Sequence, residues 1–127
     1  MGRILLVEDE PAVRAVTSLM LQRLGWDVIT AATGKEALRI LASDPIDIQI
    51  AVLDLHLPDM GGETLFGHLR LLEMIIPVVF CSGYDRDDPT VHSLTAESQT
   101  AFIQKPFGIN TLESALIRLK QTSCVSR

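Results

Sequence analysis

The strongest constraint on this chain is the way short apolar runs alternate with helix-like segments, four of the runs leading into a charged or hydroxyl residue. Ile4 to Val7 gives way to Glu8 and Asp9; Ile48, Ile50, Ala51, Val52 and Leu53 lead to Asp54. Val78 to Cys81 leads to Ser82, and Ala101 to Ile103 runs on towards Lys105. Continuous apolar runs of this kind suit strands buried on both faces. Strands that alternate with helices imply a parallel sheet covered by helices. In such a sheet the carboxyl ends share one edge, where open α/β folds bind ligands. The polar residues are therefore expected to meet at a single site.

The segmentation between the runs supports this. Val13, Val16, Thr17, Met20, Leu21 and Leu24 repeat at helical spacing, with Pro11 where a first turn tolerates it and Gly25 where a helix stops. Residues 26–31 form a second expected strand. Thr33 and Glu36 have capping-box spacing ahead of Ala37, Leu38 and Leu41. A third helix should present Leu65, Leu69 and Leu72, and Asn110 with Glu113 is expected to cap a last helix carrying Leu112, Ala115, Leu116 and Leu119. Residues 85–98 are the weak stretch. With Val91, Leu94 and Ala96 as apolar anchors, a helix there would bury little surface and be the most mobile element. All prolines (11, 45, 58, 77, 89 and 106) fall at expected boundaries.

At 127 residues the chain fits one domain, with an ordered core expected over about 3–121 and a polar tail over 122–127. Sixteen acidic and eleven basic residues give a net charge of −5 without a basic cluster, which argues against direct nucleic-acid binding. No run is long enough for a signal peptide core or a membrane span, so a cytoplasmic location and no membrane insertion are expected. Cys81 and Cys124 form neither a metal-ligand spacing nor a disulfide framework, and His56, His68 and His92 form no zinc pair.

The converging residue types suit phosphoryl transfer, which needs an in-line nucleophile, a cation across the phosphoryl oxygens and donors for the remaining charge. Asp54 offers the nucleophile, and Asp9 with Glu8 offers the oxygen ligands that Mg2+ prefers. Lys105 brings a point charge and Ser82 a hydroxyl donor. Singly, each has an ordinary reading: acids before a helix, a turn aspartate, a capping serine, a solvated lysine. Their placement on one sheet edge is what selects the chemical reading.

At this point the chain resembles the receiver domains of two-component response regulators. The resemblance runs from Ile4-Leu5-Leu6-Val7-Glu8-Asp9-Glu10 through Val52-Leu53-Asp54-Leu55 and Leu57-Pro58 to Cys81-Ser82-Gly83 and Lys105-Pro106-Phe107. It implies a flavodoxin-like, doubly wound (βα)5 domain with a five-stranded parallel sheet in the order 2-1-3-4-5, and a cis Lys105-Pro106 bond. It further implies Asp54 as phospho-acceptor, and Asp9, Asp54, Glu8 and the His56 backbone carbonyl as ligands for Mg2+ or Mn2+. Ser82 and Lys105 would contact the phosphoryl group. Ser82 and Phe102 would be the switch pair, Phe102 turning inward after phosphorylation and altering the surface around residues 85–98. His56 and Tyr84 would flank the phosphoryl group and tune its lifetime.

The implied partners are a histidine kinase or histidine phosphotransfer protein and a downstream protein, with the chain a monomer or a weak phosphorylation-dependent dimer. The Cys-Ser-Gly-Tyr and Gln-Lys-Pro-Phe stretches are similar to receivers fused to hybrid histidine kinases. Two other readings share parts of the pattern. An aspartate-nucleophile phosphatase would usually carry a second Asp where this chain has His56. A phosphorylation-independent interaction module would usually have lost the acceptor or the acids, which this chain keeps.

Overall fold

Ile4, Leu5, Leu6 and Val7 are all buried because β1 (Arg3–Val7) has parallel neighbours on both sides and helices over both faces. The computed structural model describes residues 2–43, 47–71, 76–83, 89–95 and 99–125. After β1 come α1 (Pro11–Arg23), β2 (Asp27–Ala31), α2 (Gly34–Ala42), β3 (Ile48–Asp54) and α3 (Gly62–Leu71). They are followed by β4 (Val78–Ser82), α4 (Pro89–Thr95), β5 (Thr100–Gln104) and α5 (Ile109–Val125). The five strands pair in parallel in the order β2-β1-β3-β4-β5, the expected order of a flavodoxin-like sheet. Among the described residues no helix is long and apolar enough to cross a membrane.

Strand geometry divides the core by parity, since successive side chains point to opposite faces. Leu5, Val7, Leu53, Phe80 and Phe102 face α2, α3 and α4. Ile4, Leu6, Val52, Val79 and Ile103 face α1 and α5. Full burial of one Leu, Val or Phe stabilises a fold by about 1.5–3 kcal/mol, so each helix is held chiefly by its inner stripe. α3 shows this directly: Leu65, Phe66 and Leu69 are buried, Phe66 meets Phe80 edge-on at 5.3 Å, and Arg70 lies 4.2 Å above the Phe66 ring. Leu72 of the expected stripe lies outside the described residues.

The helix ends follow local chemistry. Pro11 occupies the first turn of α1. Gly25 adopts φ 97°, which lets its N–H reach the Gln22 carbonyl and the Trp26 N–H reach Leu21, a Schellman closure that turns the chain into β2. Thr33 caps α2 through a bond from the Glu36 N–H at 3.1 Å, and the Glu36 carboxylate returns to the Ala32 N–H at 2.7 Å.

Three expectations need correction. α5 begins at Ile109 rather than behind an Asn110 cap: the Leu112 N–H donates to the Gly108 carbonyl, so the first turn starts two residues earlier, at a glycine that tolerates a capping backbone. The same helix runs through Val125, into the stretch expected as a polar tail. On α1 the buried positions are Thr17 and Leu21, whereas Val16 is 55% exposed, so the inner stripe is narrower than the apolar pattern suggests. The weak stretch contains a short helix, α4, anchored by buried Val91 and Leu94; its flanks at 84–88 and 96–98, with Ala96, lie outside the described residues.

Candidate functional site

Parallel register brings the four polar strand ends to one edge. Val7 of β1 pairs with Leu53, so Glu8 and Asp9 emerge beside Asp54. Asp54 pairs with Cys81, which places Ser82 one step on, and Ser82 pairs with Gln104, just before Lys105. The Lys105 N–H donates to the Ser82 carbonyl at 2.7 Å, extending the ladder to the lysine itself. The Lys105-Pro106 bond is cis.

Side chains complete the convergence. The Lys105 ammonium donates to Oε1 of Glu8 at 2.7 Å and to Oδ2 of Asp54 at 3.2 Å. Oδ1 of Asp54 accepts the His56 N–H at 3.0 Å, so both oxygens of the carboxylate are oriented. One carboxylate oxygen from each of Glu8, Asp9 and Asp54 lies within 4.8 Å of the others. Glu8, Asp54 and Ser82 are buried, Asp9 is half-buried, and the His56 side chain is exposed.

The cluster carries more acid than base, and its titration reflects that. Burial pushes the Glu8 carboxyl above its usual range, the neighbouring Asp54 charge pushes the same way, and the bonds from Lys105 and the Glu10 N–H oppose them. Burial acts to lower Lys105, but its bond to Glu8 and the charges of Asp54 and Glu8 outweigh it, so the ammonium is held above its usual value. The Lys105 direction reflects the surplus of negative charge around it, while the Glu8 rise is chiefly the cost of burial, to which the Asp54 charge adds. A divalent cation with oxygen preference suits this donor set: three carboxylates at the mouth of a sheet, compensated by one ammonium.

The remaining expected residues are Phe102, a switch residue, and Tyr84. Phe102 packs among the core residues facing α4 and is 4% exposed, so its ring is already inside; an inward turn from an exposed position does not describe the arrangement seen. Tyr84 lies outside the described residues. Two residues that the sequence pattern does not single out support the site from behind. Arg14 donates to the Glu8 carbonyl at 2.9 Å and the Asp9 carbonyl at 3.4 Å, bracing the acidic loop from α1. Asp59 accepts the N–H groups of Gly34 and Lys35, each at 2.9 Å, tying the β3–α3 loop to α2. An arginine one turn into a helix and an aspartate after a proline are ordinary surface patterns, so no sequence signal marks either.

Comparison with known proteins agrees with this geometry. The family model for the response regulator receiver domain matches residues 4–117. The sensor kinase CckA of Brucella abortus is 38% identical over 113 residues, covering 89% of this chain and 12% of that protein. The solved receiver domain of the hybrid histidine kinase CckA is 36% identical with a TM-score of 0.74, covering 95% of this chain and 98% of that one. The response regulator TrrA of Thermotoga maritima, solved in complex with Mg2+-BeF, is 27% identical with a TM-score of 0.79, covering 94% and 99%. The chain spans from 12% to about half (47%) of the length of the first curated relatives it matches.

Proposed function

This chain belongs to the response regulator receiver domain family, a family of two-component signalling domains, and from that premise we propose that it takes a phosphoryl group onto Asp54 from a histidine kinase or histidine phosphotransfer protein. The observation that carries the assignment is the convergence on Asp54: Lys105 at 3.2 Å on one oxygen, the His56 N–H at 3.0 Å on the other, and the Glu8 and Asp9 carboxylates alongside.

Each residue has a separate role. Asp54 attacks the phosphorus through a carboxylate oxygen, and the donor's leaving group departs on the opposite side. Asp9, Asp54 and Glu8, with the His56 backbone carbonyl, would hold Mg2+ or Mn2+. When bound, that ion offsets the charge on the phosphoryl oxygens. Lys105 leaves part of its contact with Glu8 to meet the incoming charge, and the Ser82 hydroxyl donates to another phosphoryl oxygen. The resulting acyl phosphate biases the connection from Ser82 towards α4. The readout is the surface of α4, β5 and α5, and Phe102 changes its packing within that face rather than entering it from solvent. The domain is cytoplasmic and catalyses at most its own phosphorylation and dephosphorylation. It acts as a monomer or a weak phosphorylation-dependent dimer.

The test is incubation with acetyl phosphate and Mg2+ followed by intact-mass measurement. One phosphoryl adduct, absent from Asp54→Asn, is expected. A protein that stays unmodified, or an adduct that survives in Asp54→Asn, would overturn the assignment.

A further inference from the structure

The loop from Leu55 to Gly61 carries His56, and its two legs are joined at the base. The Gly62 N–H donates to the Leu55 carbonyl at 3.0 Å, and His56 forms an antiparallel bridge with Gly61. These bonds hold the legs to each other but leave the orientation of the loop's tip to outside anchors. One anchor is Leu57, buried in the core beside α2 and α3. The other is the pair Asp59 and Met60. Both Asp59 oxygens accept N–H groups from the first turn of α2, at 2.9 Å each, and Met60 packs so closely on Gly34 that a Cβ there would come within 2.5 Å of its side chain. A carboxylate on unsatisfied first-turn donors is a charge-assisted, two-pronged contact, so it resists rotation as well as separation.

We propose that Asp59 is a positioning residue for the cation site: by fixing the tip of the 55–61 loop to α2, it sets the backbone at His56 and thereby the affinity for Mg2+. This rests on the proposed receiver chemistry, in which the His56 carbonyl is a ligand. Asp59 touches neither the cation nor the phosphoryl group. It acts at a distance, as outer partners of metal ligands do when they hold the inner shell in register. The contact also makes α2 a participant, because anything that stiffens the loop must stiffen the first turn of α2 by the same coupling.

The experiment is calorimetric titration of the full chain with MgCl2, alongside amide hydrogen exchange. In Asp59→Ala the Mg2+ dissociation constant should rise about tenfold. Asp59→Asn, which retains one oxygen acceptor, should fall between that variant and the unaltered protein. Thr33→Ala removes the helix's own cap without touching the loop; it should lower stability yet leave Mg2+ affinity where it was. In the unaltered protein the Gly34 and Lys35 amides should exchange more slowly once Mg2+ is added. Unchanged affinity in Asp59→Ala overturns the inference, and so does equal weakening in Thr33→Ala, which would reduce Asp59 to a helix cap. Unchanged exchange at Gly34 and Lys35 overturns it without any variant. Failure of the unaltered protein to bind Mg2+ overturns the receiver chemistry as well.

Discussion

The Lys105 ammonium lies 2.7 Å from Oε1 of Glu8, a carboxylate with 4% of its side chain exposed. Asp54, the proposed nucleophile, is its second partner at 3.2 Å. The lysine therefore offsets two buried charges at once, and removing it leaves both uncompensated. Because the Lys105 side chain is itself 23% exposed, the loss is smaller than for a fully buried pair. Lys105→Met should lower the unfolding free energy by about 1–3 kcal/mol in urea titrations without Mg2+. Added Mg2+ should raise the stability of the variant more than that of the unaltered protein, since the ion then supplies the missing positive charge. A variant as stable as the parent in the absence of Mg2+ would contradict this account.

Gly62 begins α3 directly over the end of β3. A Cβ at this position would lie 2.9 Å from the Leu55 Cα and 3.0 Å from the Asp54 carbonyl oxygen, both backbone atoms that cannot rotate away. Gly62→Ala should therefore cost about 1–3 kcal/mol of stability through forced backbone shifts, and should slow phosphorylation of Asp54 by displacing its strand end. Gly67, on the outer face of α3, has open space around it: among the described residues, and apart from its chain neighbours and the helix's own backbone, no heavy atom comes within 4 Å of the place a Cβ would take. Gly67→Ala should stabilise the helix by about 0.5–1 kcal/mol. Thermal melts of the two variants, moving in opposite directions, check the pair.

The sequence revealed the sheet because its period is unambiguous: β1, β3 and β4 are predominantly apolar runs between helical repeats, and their polar terminators lie at one edge by strand direction alone. Glu8, Asp9, Asp54 and Lys105 were legible for the same reason. Arg14 and Asp59 were not, since each works through backbone groups of another element and main-chain donors and acceptors leave no trace in residue identity. The α5 cap was misplaced because the asparagine and glutamate spacing fits a cap, while the chain geometry after Phe107 lets Gly108 serve first. On α1, Thr17 takes a buried place that its hydroxyl disguises, and Val16 an exposed one that its methyls disguise.

Asp59 also gives the molecule an acid-sensitive contact. The N–H groups of Gly34 and Lys35 hold its carboxyl below the ordinary value of 3.8. A depressed folded-state pKa contributes stability that is present above the unfolded value and lost as pH falls through the folded one. The stability difference between the unaltered protein and Asp59→Asn should accordingly be constant at neutral pH and shrink on acidification below about pH 4. Urea midpoints measured across that range test it. A difference that stays constant down to strong acid would show that the charge on Asp59 adds nothing to its hydrogen bonds.

His56 follows Asp54 by two residues. Its N–H is fixed on Oδ1 of Asp54 at 3.0 Å, while its side chain is exposed at the mouth of the site. The main chain is thus also tied to the acceptor itself, and on the proposed receiver chemistry the exposed imidazole is expected to hinder water approaching a phosphorylated Asp54. Hydrolysis of the acyl phosphate needs water in line with the phosphorus, so a side chain occupying that approach raises the barrier without entering the chemistry. A hindrance of about 0.7 kcal/mol corresponds to about a threefold change in rate. His56→Ala should shorten the life of the adduct by about that factor, while leaving the rate of its formation from a small donor unchanged or faster. The measurement is a pulse with acetyl phosphate, removal of the donor, and decay of the phosphoryl adduct followed by intact mass. An unaltered half-life would remove His56 from the control of hydrolysis and leave its backbone as its contribution to the site.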